Sequence, residues 1–133
     1  MLRSPSTVTS PLPMTPAAWS ALRAEAARSD RSPTERVDAD LARRIRTIRD
    51  VLESVALVDD PLLAVVGRQV TFVEEDDARH TVALVIPGDG DPPHGWISVD
   101  APLGEALLGA RPGERVVVHA PAGDRHVTVV EVR

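Results

Sequence analysis

The stretch at residues 95–121, GWISVDAPLGEALLGARPGERVVVHAP, decides the fold. It predicts a strand, a short helix, a tight turn and a second strand, in that order. Ile97 and Val99 alternate with polar residues, as expected of a half-buried strand. Pro102 ends that strand and opens the helix, because a proline in a first helical turn loses no hydrogen bond.

The helix predicted after this proline is about two turns long. Its apolar residues Leu103, Ala106 and Leu107 fall at i, i+3 and i+4, which forms one stripe facing a core. Gly109 lies where a helix commonly ends in a left-handed residue. A Pro-Gly turn comes next, and the valines of residues 116–118 begin the second strand.

Composition and charge exclude several classes of protein. The chain of 133 residues has no cysteine, so it holds neither disulfides nor thiolate metal sites. It has no apolar run approaching the roughly 18 to 20 residues that span a bilayer, and we expect a cytoplasmic protein. The net charge is −5, and residues 61–133 carry six arginines against eleven acidic residues. Autonomous nucleic-acid binding is therefore not expected.

The N-terminal half predicts a disordered tail and two helices. Residues 1–13 are rich in Ser, Thr and Pro. Thr15 and Pro16 resemble a helix start, and the helix should run to about Arg28. A turn is predicted at residues 29–34. The second helix has apolar residues at near-heptad spacing, namely Val37, Leu41, Ile45, Ile48, Leu52 and Val55. Two such helices should pack as an antiparallel hairpin and dock on the C-terminal half of the chain.

The C-terminal half predicts five short strands around the one short helix. A strand carrying Val70 and Phe72 leads to an acidic turn at residues 74–77. The next strand places Val82, Leu84 and Ile86 on one face, and a Pro- and Gly-rich loop occupies residues 87–94. The last strand should bury Val127, Val129 and Val132. The fold class predicted is therefore α+β.

Six motifs of the C-terminal half, in order, resemble the C-terminal domain of the GreA/GreB family of bacterial transcription factors. They are Ile97-Ser98, Ala101-Pro102-Leu103-Gly104, Ala106-Leu107-Leu108-Gly109, Pro112-Gly113-Glu114, Val116-Val117-Val118 and Pro121-Ala122-Gly123. Ala101 departs from the family pattern, which usually has serine there. The resemblance implies a twisted antiparallel sheet similar to FKBP-type isomerases. It divides the chain into a tail at residues 1–13, a shortened coiled-coil hairpin at 14–57 and the Gre domain at 58–133.

The resemblance also implies a partner, RNA polymerase. In Gre factors the matching segment grips a coiled coil of the β′ subunit at the rim of the secondary channel. The residues concerned would be Ser98, Asp100, Ala101, Pro102 and Leu103. The alternative interpretation is a structural turn, with Leu103 and Leu107 in the core.

Acidic residues at the hairpin tip of Gre factors help to hold a metal ion for transcript cleavage. The acidic residues near this tip are Asp30, Glu35 and Asp38, but the acidic motif of the family is absent. The first helix, at about 13 residues, would be about 20 Å long. Arms in typical Gre factors are about twice that length. We therefore expect no metal, no cofactor, no catalytic residue and no enzyme activity.

Three alternatives stay open from the sequence. The chain could be a cleavage-stimulating elongation factor with a divergent acidic tip. It could be similar to the regulator of nucleoside diphosphate kinase, which pairs a short hairpin with this domain. It could also be an interaction module that has lost polymerase binding.

Overall fold

The computed structural model of the protein describes residues 11–29 and 39–133. Two helices and two short strands come first, and a five-stranded sheet with one short helix comes after them. The elements are β1 (Leu12–Met14), α1 (Pro16–Ser29), α2 (Ala39–Leu52), β2 (Val55–Leu57), β3 (Gln69–Glu74), β4 (Arg79–Val85), β5 (Trp96–Ser98), α3 (Pro102–Leu107), β6 (Arg115–Ala120) and β7 (Gly123–Val132). The predicted α+β class is confirmed.

Helix α1 begins where the sequence predicts. The Thr15 hydroxyl accepts a hydrogen bond from the Ala18 backbone N–H at 3.1 Å, and Pro16 occupies the first helical position. The hydroxyl thus satisfies one of the N–H groups that a helix start leaves unpaired.

The two short strands at the base of the helices were not predicted. β1 pairs with β2 in parallel, with Leu12 opposite Val55 and Met14 opposite Leu57. Leu12 and Pro13 were expected in a disordered tail, and Val55 on the second helix, so both expectations are wrong. The reason is a long-range pairing: the Leu12 N–H donates to the Ser54 carbonyl at 3.1 Å, just past the last helical turn.

The helices form a hairpin that packs on the sheet. Because β1 precedes α1 and β2 comes after α2, their pairing places the start of α1 beside the end of α2, so the helices run antiparallel. Leu22 of α1 and Ile48 of α2 are buried in the same core as Leu84 and Ile86. Packing of their apolar faces therefore stabilises helices that would be marginal alone. The tip of the hairpin lies outside the described residues.

The N-terminal strand also joins the helices to the sheet domain. The Thr15 N–H donates to the Val66 carbonyl at 3.0 Å, and the Val66 N–H donates to the Pro13 carbonyl at 3.2 Å. Gly67 has a φ of 101°, and a Cβ built on it would lie 2.3 Å from the Thr15 Oγ1. Only glycine allows this close approach.

The five strands are ordered β5-β4-β3-β7-β6. Three neighbouring pairs are antiparallel, as the resemblance implies, but β5 runs parallel to β4. The chain leaves β4, makes a 3₁₀ turn at Pro92–His94 and returns to start β5 beside Ala83. A parallel neighbour requires such a crossover, which a hairpin turn does not supply.

The sheet buries one face of its central strands. Val82, Leu84 and Ile86 are buried, as are Val127 and Val129. A bulge between Thr71 and Phe72 leaves Val130 out of the pairing, which shifts the phase of β7 by one residue. In a regular strand, residues three apart point to opposite faces. Because of the bulge, Val132 is buried together with Val129.

Candidate functional site

The loop between β5 and α3 carries the residues that the resemblance assigns to polymerase binding. Ser98, at the end of β5, is buried, and its hydroxyl donates a hydrogen bond to the Asp100 carboxylate. The Asp100 N–H in turn donates to the Ser98 Oγ at 3.3 Å. These two bonds fix the direction of the exposed Asp100 side chain relative to the sheet.

Helix α3 starts directly after this turn. The Ala101 N–H donates to the Ser98 carbonyl at 3.0 Å, and the Ala101 carbonyl accepts from the Glu105 N–H at 2.8 Å. Ala101 is the N-cap in an extended conformation and makes no side-chain cap bond. Pro102 occupies the first turn of the helix and is exposed.

Gly104 allows the helix to sit against the end of β5. A Cβ at this position would lie 1.9 Å from the Ser98 carbonyl oxygen and 2.9 Å from the Val99 Cα. No real side chain fits at that distance, so the glycine permits the close packing of α3. The loop is therefore held between the end of β5 and the start of α3.

The structure separates the five predicted binding residues by exposure. Asp100 and Pro102 are exposed, and Ser98 is buried behind them. Ala101 and Leu103 are half-buried, and Leu103 packs against the core, in which Leu107 is fully buried. The structural interpretation of Leu107 is confirmed. Asp100 and Pro102 are the two members whose side chains are most available to a partner.

A second loop, residues 87–95, lies beside this one; the sequence predicts a Pro- and Gly-rich loop at 87–94 but assigns it no functional role. Gly90 packs on Ser98, since a Cβ built on it would lie 3.3 Å from the Ser98 Cβ. Asp91 and Trp96 exchange two backbone hydrogen bonds, of 2.7 Å and 3.1 Å. Trp96 is 47% exposed, which is unusual for an indole. An aromatic at an outward position of a short strand was the signal in the sequence.

The acidic residues predicted for the hairpin tip, Asp30, Glu35 and Asp38, lie outside the described residues. The first described acidic residue after them is Asp40, which forms an exposed ion pair with Arg43 at 3.0 Å. Within residues 11–29 and 39–133, no group of three or more His, Asp or Glu side chains is arranged to hold a metal ion.

Arg44 links the hairpin to the sheet domain. Its guanidinium makes two hydrogen bonds to Glu25 of α1, at 2.5 Å and 3.0 Å, and one to Asp89 in the 87–95 loop. The bond to Glu25 is the largest cause that raises the pKa of Arg44 above its ordinary value, and Asp89 raises it further. All three side chains are about one third exposed or less.

His119 and His126 lie on the β6–β7 hairpin but engage different carboxylates. His119 contacts Asp124 at 3.0 Å, whereas His126 contacts Glu75 at 3.3 Å. They therefore belong to separate surface pairs. In the part of the chain that the structure describes, every helix is too short or too polar to span a bilayer.

Comparison with known proteins identifies the family. Residues 64–133 match the family described as transcription elongation factor, GreA/GreB, C-terminal. GreA of Listeria welshimeri is 34% identical over 94 residues, which cover 67% of this chain and 59% of that protein. GreA of Roseiflexus sp. is 33% identical over 100 residues, which cover 71% of this chain and 64% of that protein. The chain thus spans about three fifths of the length of these relatives.

A solved structure of a GreA/GreB factor has the same fold. A GreA/GreB elongation factor from Nitrosomonas europaea superimposes with a TM-score of 0.50 at 23% identity, covering 91% of this chain and 98% of the other. GreA factor homolog 1 of Thermus thermophilus gives a TM-score of 0.47 at 22% identity, covering 92% and 99%.

The family description names a transcription elongation factor, which agrees with the prediction that the chain is not an enzyme. The matched region contains the β5–α3 loop, the glycine that seats α3 and all of the five-stranded sheet. Because this region makes up more than half of the sequence, the chain belongs to the GreA/GreB family of transcription elongation factors.

Proposed function

We propose that this chain binds RNA polymerase at the rim of the secondary channel through the β5–α3 loop, and that it modulates transcription without stimulating transcript cleavage. The observation that carries the proposal is the match of residues 64–133 to the GreA/GreB family, which includes this loop. The chain would then be a binding factor that uses no cofactor and has no catalytic residue of its own.

The geometry of the loop supports a docking role. Asp100 and Pro102 are exposed, while the residues that hold them, Ser98 and Gly104, are buried. A loop fixed in this way loses little conformational entropy on binding, so more of the contact energy is available for affinity.

The net negative charge of the sheet domain is complementary to a basic surface, which we propose for the β′ subunit. Residues 61–133 carry eleven acidic residues and six arginines. Charge of this sign speeds the encounter with a basic surface more than it raises affinity.

The proposed division of the chain is a hairpin at residues 14–57 and a Gre domain at 58–133. Helix α1 has 14 residues, so it is about 21 Å long. The acidic cleavage motif of the family is absent from the turn between the helices. A short hairpin tied to the sheet domain by Arg44 suits occlusion of the channel mouth better than chemistry deep within it.

We call residues 98–103 the docking loop. Its proposed role is tested by equilibrium binding of labelled protein to RNA polymerase core. Asp100→Arg and Pro102→Ala are expected to weaken binding at least tenfold, because they change the two exposed loop residues. Asp50→Arg reverses an exposed charge on α2 and serves as the matched control, with binding within about twofold of wild type. Equal binding by all four proteins would overturn the assignment of the loop.

Cleavage is tested separately, with backtracked transcription complexes. We expect no stimulation above the intrinsic rate of the polymerase, while an authentic GreA factor in the same assay stimulates it. Stimulation comparable to that of GreA, dependent on Mg²⁺, would contradict the proposal and favour a cleavage factor with a divergent tip.

A further inference from the structure

A groove of about 550 Å³ lies beside the docking loop, between α2 and the 87–95 loop. Arg44, Asp89, Asp91 and Trp96 are among the residues that line it. The lining thus combines one aromatic ring, two carboxylates and the Arg44 guanidinium. The half-exposed indole of Trp96 is part of this lining.

The indole of Trp96 is held in place although it is 47% exposed. The imidazole of His94 lies 5.4 Å from it, centroid to centroid, and is tilted by 31°. The Nδ1 atom of His94 is 2.7 Å from an Asp91 carboxylate oxygen, and Gly95 closes the turn with a φ of 79°. The ring therefore lies in a preformed position and needs little ordering when a ligand binds.

The electrostatics of the groove favour a cation. The charge of Arg44 is already met by Glu25 and Asp89, which bind its guanidinium. Asp91 is paired with His94, at 2.7 Å, and its side chain is 40% exposed, so that its carboxylate is open to solvent. An indole face beside a carboxylate is the chemistry that binds a guanidinium, by cation–π attraction and a charge-assisted hydrogen bond.

The groove is continuous with the docking loop. Trp96 and Ser98 are both in β5, and Gly90 of the 87–95 loop packs directly on Ser98. Trp96 and the β5–α3 loop thus lie at opposite ends of one three-residue strand, close enough for a single partner surface to contact both. One partner can therefore occupy the groove and contact the docking loop at the same time.

We infer that Trp96 and Asp91 form a socket for an arginine side chain of RNA polymerase, next to the surface that meets the β5–α3 loop. The inference rests on the proposed function, since it names a further contact with the same partner. It adds residues 91 and 96 to the binding surface and specifies the chemistry of the partner at that point.

The test is equilibrium binding to RNA polymerase core at about 0.15 M salt. Trp96→Ala and Asp91→Asn are expected to weaken binding about five- to twentyfold, the range of a desolvated cation–π contact. Trp96→Phe keeps a ring and should stay within about threefold of wild type. Leu62→Ala, which removes another large exposed apolar side chain, is the control and should bind as wild type does. Circular dichroism and denaturant midpoints verify that each variant folds.

The outcomes separate the inference from the proposed function. Weaker binding by both Trp96→Ala and Asp91→Asn, with Trp96→Phe near wild type, supports the socket. If Pro102→Ala weakens binding but the two socket variants do not, the socket is overturned and the docking loop stands. If the wild-type protein does not bind polymerase core, the proposed function fails and the socket fails with it.

Discussion

The guanidinium of Arg44 binds both carboxylate oxygens of Glu25, with hydrogen bonds of 2.5 Å and 3.0 Å, although the two residues belong to different helices. The same guanidinium also binds Asp89 in the loop before β5. A single side chain on α2 therefore joins α1, α2 and the sheet domain. Together with the backbone hydrogen bonds between residues 13–15 and Val66, this arrangement orients the hairpin relative to the docking loop.

Replacing Arg44 by methionine keeps most of the apolar stem and removes the charge. We expect the free energy of unfolding to fall by about 1–2 kcal/mol, because the partly buried carboxylates of Glu25 and Asp89 lose the hydrogen bonds of this guanidinium. Denaturant titration measures the change. Arg43→Met is the matched control: its pair with Asp40 is exposed, so the cost should be below about 0.5 kcal/mol. An equal loss of stability in Arg44→Met and Arg43→Met would show that Arg44 does not link the hairpin to the sheet domain.

Asp60 gives a prediction about pH. The Leu62 N–H donates to its carboxylate at 3.0 Å and Arg111 at 2.7 Å, and these bonds lower the pKa of Asp60 below its ordinary value. A depressed carboxyl pKa stabilises the fold above the unfolded pKa, and the contribution is lost as the pH falls through the folded pKa. Wild type should therefore be more stable than Asp60→Asn at pH 7. The difference should narrow as the pH falls below about 4.

Denaturation curves of wild type and Asp60→Asn at several pH values measure that difference. Asp59→Asn, a change at the neighbouring acidic residue, should track wild type throughout. A difference for Asp60→Asn that stays constant from about pH 7 to below about 4 would contradict the assignment, because it would not track the charge of the carboxylate.

Ala101 occupies the N-cap of α3 without a side-chain cap. Its backbone is already extended, as a capping residue requires. Ala101→Ser should raise the free energy of unfolding by about 0.5–1 kcal/mol, because a hydroxyl can accept a bond from the first helical turn. Thermal or denaturant unfolding measures the gain. Ala101→Val, which has no acceptor, should show none, and an equal gain for valine would refute the capping explanation.

Gly104 lets α3 pack directly against the end of β5, beside the docking loop. Gly104→Ala should cost about 1–3 kcal/mol, because the new Cβ overlaps the Ser98 carbonyl and forces α3 away from β5. It should also weaken polymerase binding, since Asp100 and Pro102 would move. Glu105→Ala, at the next and exposed position, should cost less than about 0.5 kcal/mol. A stable Gly104→Ala protein with wild-type binding would mean that the close packing is not required.

The elements with a strong local pattern were predictable. The stripe of Leu103, Ala106 and Leu107 predicted α3, and alternating valines predicted β6 and β7. The start of α1 was predictable from Thr15 and Pro16. In each case residues within one or two turns of each other determine the conformation, so a single sequence contains the information.

The features that were missed depend on residues far apart in the chain. β1 exists because Leu12 meets Val55, and no local pattern marks that pairing. Arg44 is one of several arginines on α2, and nothing nearby distinguishes it from Arg43. The Trp96 groove requires the crossover that brings the 87–95 loop over Ser98. Such contacts are set by topology and not by periodicity.

The most direct measurement of polymerase binding is competition for RNA polymerase core between this protein and a fluorescently labelled GreA factor. We predict mutual displacement, with Pro102→Ala competing at least tenfold less well than the wild-type protein. Absence of displacement at protein concentrations well above the dissociation constant of GreA would contradict the claim that this chain binds at the secondary channel.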